Sequence, residues 1–186
     1  MAIHDRIRKL TYDDYARIPD DGLRHEIIDG EHYVSPAPFR PHQGLSIELG
    51  SRLHLFVKQH RLGCVFDAPF DVILSEHDIV QPDLLFISTA RAGILTEKNV
   101  QGAPDLIVEI LSKGTRHLDE TVKLDLYDRF GVLEYWMFDT TRQAARVYRR
   151  TLRGLRLAAE LSAEAEDVLV TPLLPGLEIP LAEIFG

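Results

Sequence analysis

Residues 104–113 read PDLIVEILSK, and the run LIVEIL is apolar enough to form a strand buried on both faces of a sheet. Such a strand constrains the rest of the chain, because each face of its sheet must be covered by another apolar layer. Yet it carries a carboxylate at its centre. Side chains of a strand alternate, so Asp105, Ile107, Glu109 and Leu111 share one face while Leu106, Val108 and Ile110 share the other. The two acids face the same way, but their backbones lie roughly 13 Å apart, too far for one metal ion to bridge. Asp105 reads as a residue at the start of the strand. Glu109 needs a partner from another element or a bound proton, since burying an unpaired carboxylate costs several kcal/mol.

The flanking patterns supply the covering layers. Thr11 opens TYDDYARIPDDG as the N-cap of a short helix, with Asp14 three residues on and Pro19 and Gly22 closing it. HEIIDGEHYV holds Asp29-Gly30, a two-residue hairpin signal between two antiparallel strands. In the segment after SPAPFRPHQG, Leu45, Leu49, Leu53 and Phe56 recur at helical spacing, which predicts a helix from near Pro41 to His60. CVFDAPFDVIL reads as one strand bent near Pro69, and IVQPDLLFIS as a second. RAGILTEKNVQGA is a connection. After LIVEIL, a helical stripe of Leu118, Val122, Leu126 and Phe130 ends at Gly131. LEYWMFD, QAARVYRR and GLRLAAE form a terminal run of antiparallel strands before a proline-rich tail. The expectation is an α/β or α+β fold, a central mixed sheet flanked by helices with β-hairpins at both ends of the chain, in a single domain spanning 1–186.

Composition narrows the function. With 45% hydrophobic residues the chain can bury a substantial core. Its apolar runs fall short of the roughly 18 residues of a membrane span, and MAIHDRIRKLTYDDY has no apolar signal region, so the expected protein is soluble, cytoplasmic and without a membrane partner. Cys64, the one cysteine, excludes an intramolecular disulfide and a cysteine-based zinc cluster, and in GCVFDAPF it reads as a small core residue. A net charge of −8 opposes a broad electropositive surface, so any contact with nucleic acid requires local positive charge or metal ions bound among the acids. Arg142, Arg146, Arg149, Arg150, Arg153 and Arg156 fall within fifteen residues of the terminal hairpin. They form either a local basic surface for phosphate or an acidic partner, or an ordinary solvated hairpin.

Asp83, in Val80-Gln81-Pro82-Asp83, heads the strand expected beside LIVEIL. Adjacent strands lie about 4.8 Å apart, so Asp83 and Glu109 can converge on one Mg²⁺, with Mn²⁺ as a substitute. The alternatives are a plain strand-terminal acid for Asp83 and an arginine-paired acid for Glu109. His42 precedes the long helix and either caps it or touches substrate, and eight histidines with no HxxxH spacing do not make a zinc site. Ser112 and Thr115 flank the turn into the next helix, as caps or phosphate donors.

Pro82-Asp83 followed by Glu109-Ile110-Leu111 looks like the PD-(D/E)XK nuclease core, with Leu111 where a lysine would stand. GAPDLIVEILSKGTRHLDETVKLDLYDRFGVLEYWMFD resembles the Uma family of "putative restriction endonucleases", in which the strand is followed by Ser, Thr, Asp and a Lys on the next helix. RHEIIDGEHYVSPAP, His42-Gln43 and VQPDLLFIS resemble it too, so the likeness spans nearly the whole chain. The resemblance implies a restriction-endonuclease-like fold that hydrolyses phosphodiester bonds, of DNA, with Mg²⁺ at Asp83 and Glu109. It implies an acidic position near the metal at Glu26, and it makes Lys123 the displaced catalytic lysine. On residues alone Lys123 is the surface i, i+4 partner of Asp119, and Lys113 is the competing lysine. Gln81, His42, Ser112 and Thr115 are the expected substrate contacts. One site per chain cuts one strand, so a homodimer is expected for double-strand cleavage. The rival readings are a catalytically inactive nucleic-acid-binding or assembly module with the same fold, and a hydrolase of small phosphoesters.

Overall fold

In the computed structural model, residues 8–185 are described. The stretch 1–7, part of the segment read as lacking a signal region, lies outside them. Thr11 caps α1 (Tyr12–Tyr15) through a capping box, its backbone N–H donating to Asp14 at 3.0 Å. β1 (Arg24–Ile28) and β2 (Glu31–Ser35) form the expected hairpin, turning through Asp29 and Gly30 at φ 57° and 80°. The long helix α2 (Arg40–His60) has proline in its first turn and buries Leu45, Leu49, Leu53 and Val57.

The bent strand and its successor in the sequence reading are four strands. CVFDAPFDVIL divides into β3 (Gly63–Asp67) and β4 (Val72–Ser75), and IVQPDLLFIS into β5 (Asp78–Val80) and β6 (Leu84–Ser88). Each division falls at a proline, which cannot donate to a ladder, and the halves enter different sheets. Then follow β7 (Val100–Gln101), β8 (Leu106–Leu111), a π-helical turn (Leu118–Lys123) running into α3 (Leu124–Phe130), β9 (Glu134–Asp139), β10 (Ala144–Thr151), β11 (Gly154–Ser162), β12 (Val168–Val170), β13 (Glu178–Pro180) and α4 (Leu181–Ile184).

The larger sheet runs β11-β10-β9-β8-β6-β3, with β8 parallel to β9 and the other neighbours antiparallel. The smaller runs β2-β1-β5-β4-β7. β8 is thus an interior strand, and its alternation holds: Leu106, Val108 and Ile110 pack with α2 and the C-terminal tail, while Ile107 and Leu111 pack with Val72, Val80, Leu126 and Tyr127 on the other face. This is the mixed α and β architecture expected, helices flanking mixed sheets. Among the described residues no helix is long and apolar enough to cross a membrane.

Two readings need correction. Cys64 is exposed, because β3 is the outermost strand of its sheet and is covered incompletely. Of the stripe Leu118, Val122, Leu126 and Phe130 only Leu126 is buried; the π turn shifts the helical phase, so the inward face carries Asp119, Lys123, Leu126 and Tyr127. Of the six hairpin arginines, Arg142, Arg153 and Arg156 are exposed and the other three are tied down internally. Arg146 pairs with Glu120, Arg149 with Glu134 at 2.9 Å, and Arg150 with Asp128 at 3.1 Å while donating to the carbonyls of Tyr127, Asp128 and Val132.

Candidate active site

Antiparallel pairing of β6 with β8 sets Leu84 opposite Val108, so Asp83 and Glu109 arrive side by side on neighbouring strands. Asp83 Oδ2 accepts from the Ile110 N–H at 2.7 Å and lies 3.1 Å from His42 Nε2, while Oδ1 accepts from Arg24 at 2.7 Å. Burial alone would raise this carboxyl, but the His42 hydrogen bond, the Arg24 charge and the Ile110 N–H bring it down to about 2. Asp83 is therefore ionised and rigidly held.

Behind it sits a buried ionic cluster. Lys123 Nζ lies 2.9 Å from Glu26 Oε2, 2.9 Å from Glu109 Oε1 and 3.6 Å from Asp119 Oδ1. Glu109 Oε1 also accepts from the Tyr127 hydroxyl at 3.0 Å, and Glu26 Oε1 accepts from the Gln81 N–H at 2.9 Å. Burial would strip the Lys123 proton, but Glu109, Glu26 and Asp119 hold it in place and raise its pKa. The acids are less well balanced. Burial pushes Glu109 up to about 8 against the pull of Lys123, and Asp119 up to about 6. Four carboxylates, those of Glu26, Asp83, Glu109 and Asp119, face two permanent cations, Lys123 and Arg24. Asp119 Oδ1 is buried without a hydrogen-bond donor.

The cluster opens on a cleft of about 450 Å³ between the segment leading into α2 and the turn after β8, lined by Arg24, His42, Asp83, Glu109, Asp119 and Lys123, with Phe39 and Lys113 also at its wall. Ser112 and Thr115 border it too. Ser112 Oγ accepts from the Thr115 N–H at 3.2 Å and lies 3.0 Å from its hydroxyl, which makes Ser112 the cap of that turn. Gln81 does not border the cleft: its side-chain amide donates to Tyr15 and Asp71 at 2.9 and 2.8 Å. Lys113 is exposed while Lys123 is buried. The structure thus gathers Asp83, Glu109, Lys123, Glu26, His42, Ser112 and Thr115, and leaves Gln81 to one side. Sequence reasoning missed Arg24, which shares its β1 face with Glu26 two residues on, and Tyr127, which follows Asp119 and Lys123 at helical spacing. Among the described residues, no three Asp, Glu, His or Cys side chains converge as a finished metal shell.

The Uma2 family, described as "Putative restriction endonuclease", matches residues 12–182. This chain belongs to the Uma2 family. Every site residue named above falls inside the matched span. The Uma2 chain is also similar in structure to "a putative nuclease belonging to DUF820" from Anabaena variabilis, with a TM-score of 0.79 at 21% identity over 95% of this chain and 97% of that one. At that identity the likeness is one of fold. No match was found among curated proteins.

Proposed function

We propose that this Uma2 protein is a divalent-metal-dependent endonuclease that hydrolyses phosphodiester bonds of DNA, with Mg²⁺, or Mn²⁺ in its place, held by Asp83 and Glu109. The observation that carries the reading is the surplus of buried carboxylates around a single ammonium at the floor of a cleft. The donor set fits the ion: all-oxygen, with Asp119 Oδ1 receiving no hydrogen bond and only the longer 3.6 Å approach of Lys123. Mg²⁺ is characteristically bound by one or two carboxylates and several waters, so a finished three-ligand shell is not required of this site. When bound, the ion lowers the pKa of a water and offsets charge on the phosphate.

The chain's own groups do the rest. Arg24, His42 and the Ile110 N–H orient Asp83; Lys123 and Tyr127 orient Glu109. Glu26, with one oxygen on the Gln81 N–H and the other on Lys123, serves to position that lysine. Lys123 is the group that donates to the attacking water or to the phosphate oxygens. Calorimetry with Mg²⁺ and Mn²⁺, paired with cleavage of labelled DNA, tests this. Wild type should bind the ion and cut, Asp83→Ala should do neither, and absence of metal binding by wild type or equal binding by Asp83→Ala ends the reading. The inactive binding module is the second reading. It is favoured by Lys123 already engaging three acids, and it predicts DNA binding that is indifferent to metal and without turnover.

A further inference from the structure

Resting on that nuclease reading, the shape of the site bears on which form of DNA enters it. Asp83, Glu109 and Lys123 are each 2% exposed, so a reacting phosphate must descend to the floor of the cleft. That floor is shared. The cavity of about 450 Å³ has Arg24, Pro38, His42 and Asp83 in common with a second, of about 380 Å³, bounded by α2 and β3. Asp83 therefore stands where two chambers of small-ligand size meet. Each chamber carries an apolar side chain turned to solvent, Phe39 at 80% exposure on the first and Ile47 at 68% on the second.

A DNA duplex is stiff over about 150 bp and keeps its bases paired and stacked. It can neither fold a phosphate down between two chambers nor show a base face to Phe39 without flipping that base out. A single strand bends at every nucleotide and offers its bases to an aromatic side chain, whatever the sequence. Charge points the same way. At a net −8, with Arg146, Arg149 and Arg150 paired internally, the protein is less suited to the denser phosphate array of a duplex than to that of a single strand.

We infer that the preferred substrate is unpaired DNA, a single strand or an open flap, threaded through both chambers with the scissile phosphate at Asp83 and a base stacked on Phe39. Anisotropy titrations in Mg²⁺ of fluorescein-labelled single-stranded and duplex DNA of one sequence, using the Glu109→Gln protein to prevent turnover, provide the test. The single strand should bind about tenfold or more tighter than the duplex. Adding Phe39→Ala should weaken single-strand binding about tenfold, Phe39→Tyr should retain it, and Leu152→Ala, an exposed apolar residue that lines neither chamber, should leave it unchanged. Duplex bound as tightly as single strand, or Phe39→Ala binding like its parent, overturns the inference, and cleavage of duplex by wild type would then leave the nuclease reading standing. Binding of neither form overturns both.

Discussion

Lys123 is the side chain that most separates the two accounts of this site. On a helical wheel it falls beside the apolar stripe, a surface partner for Asp119; in the structure it is 2% exposed and holds three carboxylates. Removing it leaves buried acids without their counter-charge, so Lys123→Ala should cost about 3–5 kcal/mol in urea denaturation as well as lowering turnover about 100-fold or more. Lys113→Ala, at an exposed turn, should change stability by no more than about 0.5 kcal/mol. Glu109→Gln differs in kind. A carboxamide oxygen still accepts from Lys123 and Tyr127, and an acid that burial already disfavours in its charged form is replaced by a group neutral at every pH, so melting temperature should hold or rise as cleavage vanishes. Loss of the cooperative transition in Glu109→Gln would make Glu109 a structural ion-pair member.

The turn after β8 is held from the end of β9. Asp139 accepts from Arg116 at 2.8 Å and from the N–H groups of Thr141 and Arg142 at 3.0 and 3.1 Å. Burial raises this carboxyl, but those donors outweigh it and leave it below the usual carboxylate range. A depressed acid contributes stability that is present above its unfolded pKa and lost as pH falls through the folded one. The gap in melting temperature between wild type and Asp139→Asn should therefore be constant near neutrality and close as pH drops below about 4; a gap that widens in acid would refute the assignment. The start of β3 is equally specified. Gly63 has φ 153°, and a Cβ there would sit 2.0 Å from the Ile87 carbonyl oxygen on β6. Gly63→Ala should cost about 3 kcal/mol or more by chemical denaturation, because the obstacle is backbone in the same sheet.

On the proposed nuclease reading, charge sets how the whole protein would meet DNA. Arg146, Arg149 and Arg150 bind the protein's own carboxylates and carbonyls, which fastens β10 to β9 and to the helix beside the cleft, so that of the six hairpin arginines Arg142, Arg153 and Arg156 are left for phosphates. Single-strand binding loses about 0.7 in log K per phosphate contact per decade of salt, so a slope no steeper than about −2 is expected in titrations across salt concentrations. A much steeper slope would mean that a basic face exists elsewhere; a slope of zero would mean that DNA is not the partner.

Local signals already specified much of this: the capping box at Thr11, the Asp29-Gly30 hairpin, α2 and the two-sided burial of β8 each depend on residues near one another in the chain, where capping, turn geometry and periodicity act directly. Asp83 and Glu109 were legible as neighbours because each sits in or at the head of an apolar run and the two runs were expected to pair as adjacent strands. Nothing local revealed that Pro69 and Pro82 hand the chain from one sheet to the other, that a π turn rotates Lys123 inward, or that Arg24 arrives from β1 to grip Asp83. Those outcomes depend on which distant surfaces pack together. A buried charge settles where its partners are, and the partners of Lys123 come from β1, β8 and its own helix, brought within 4 Å only when the two sheets and the helix close on one another.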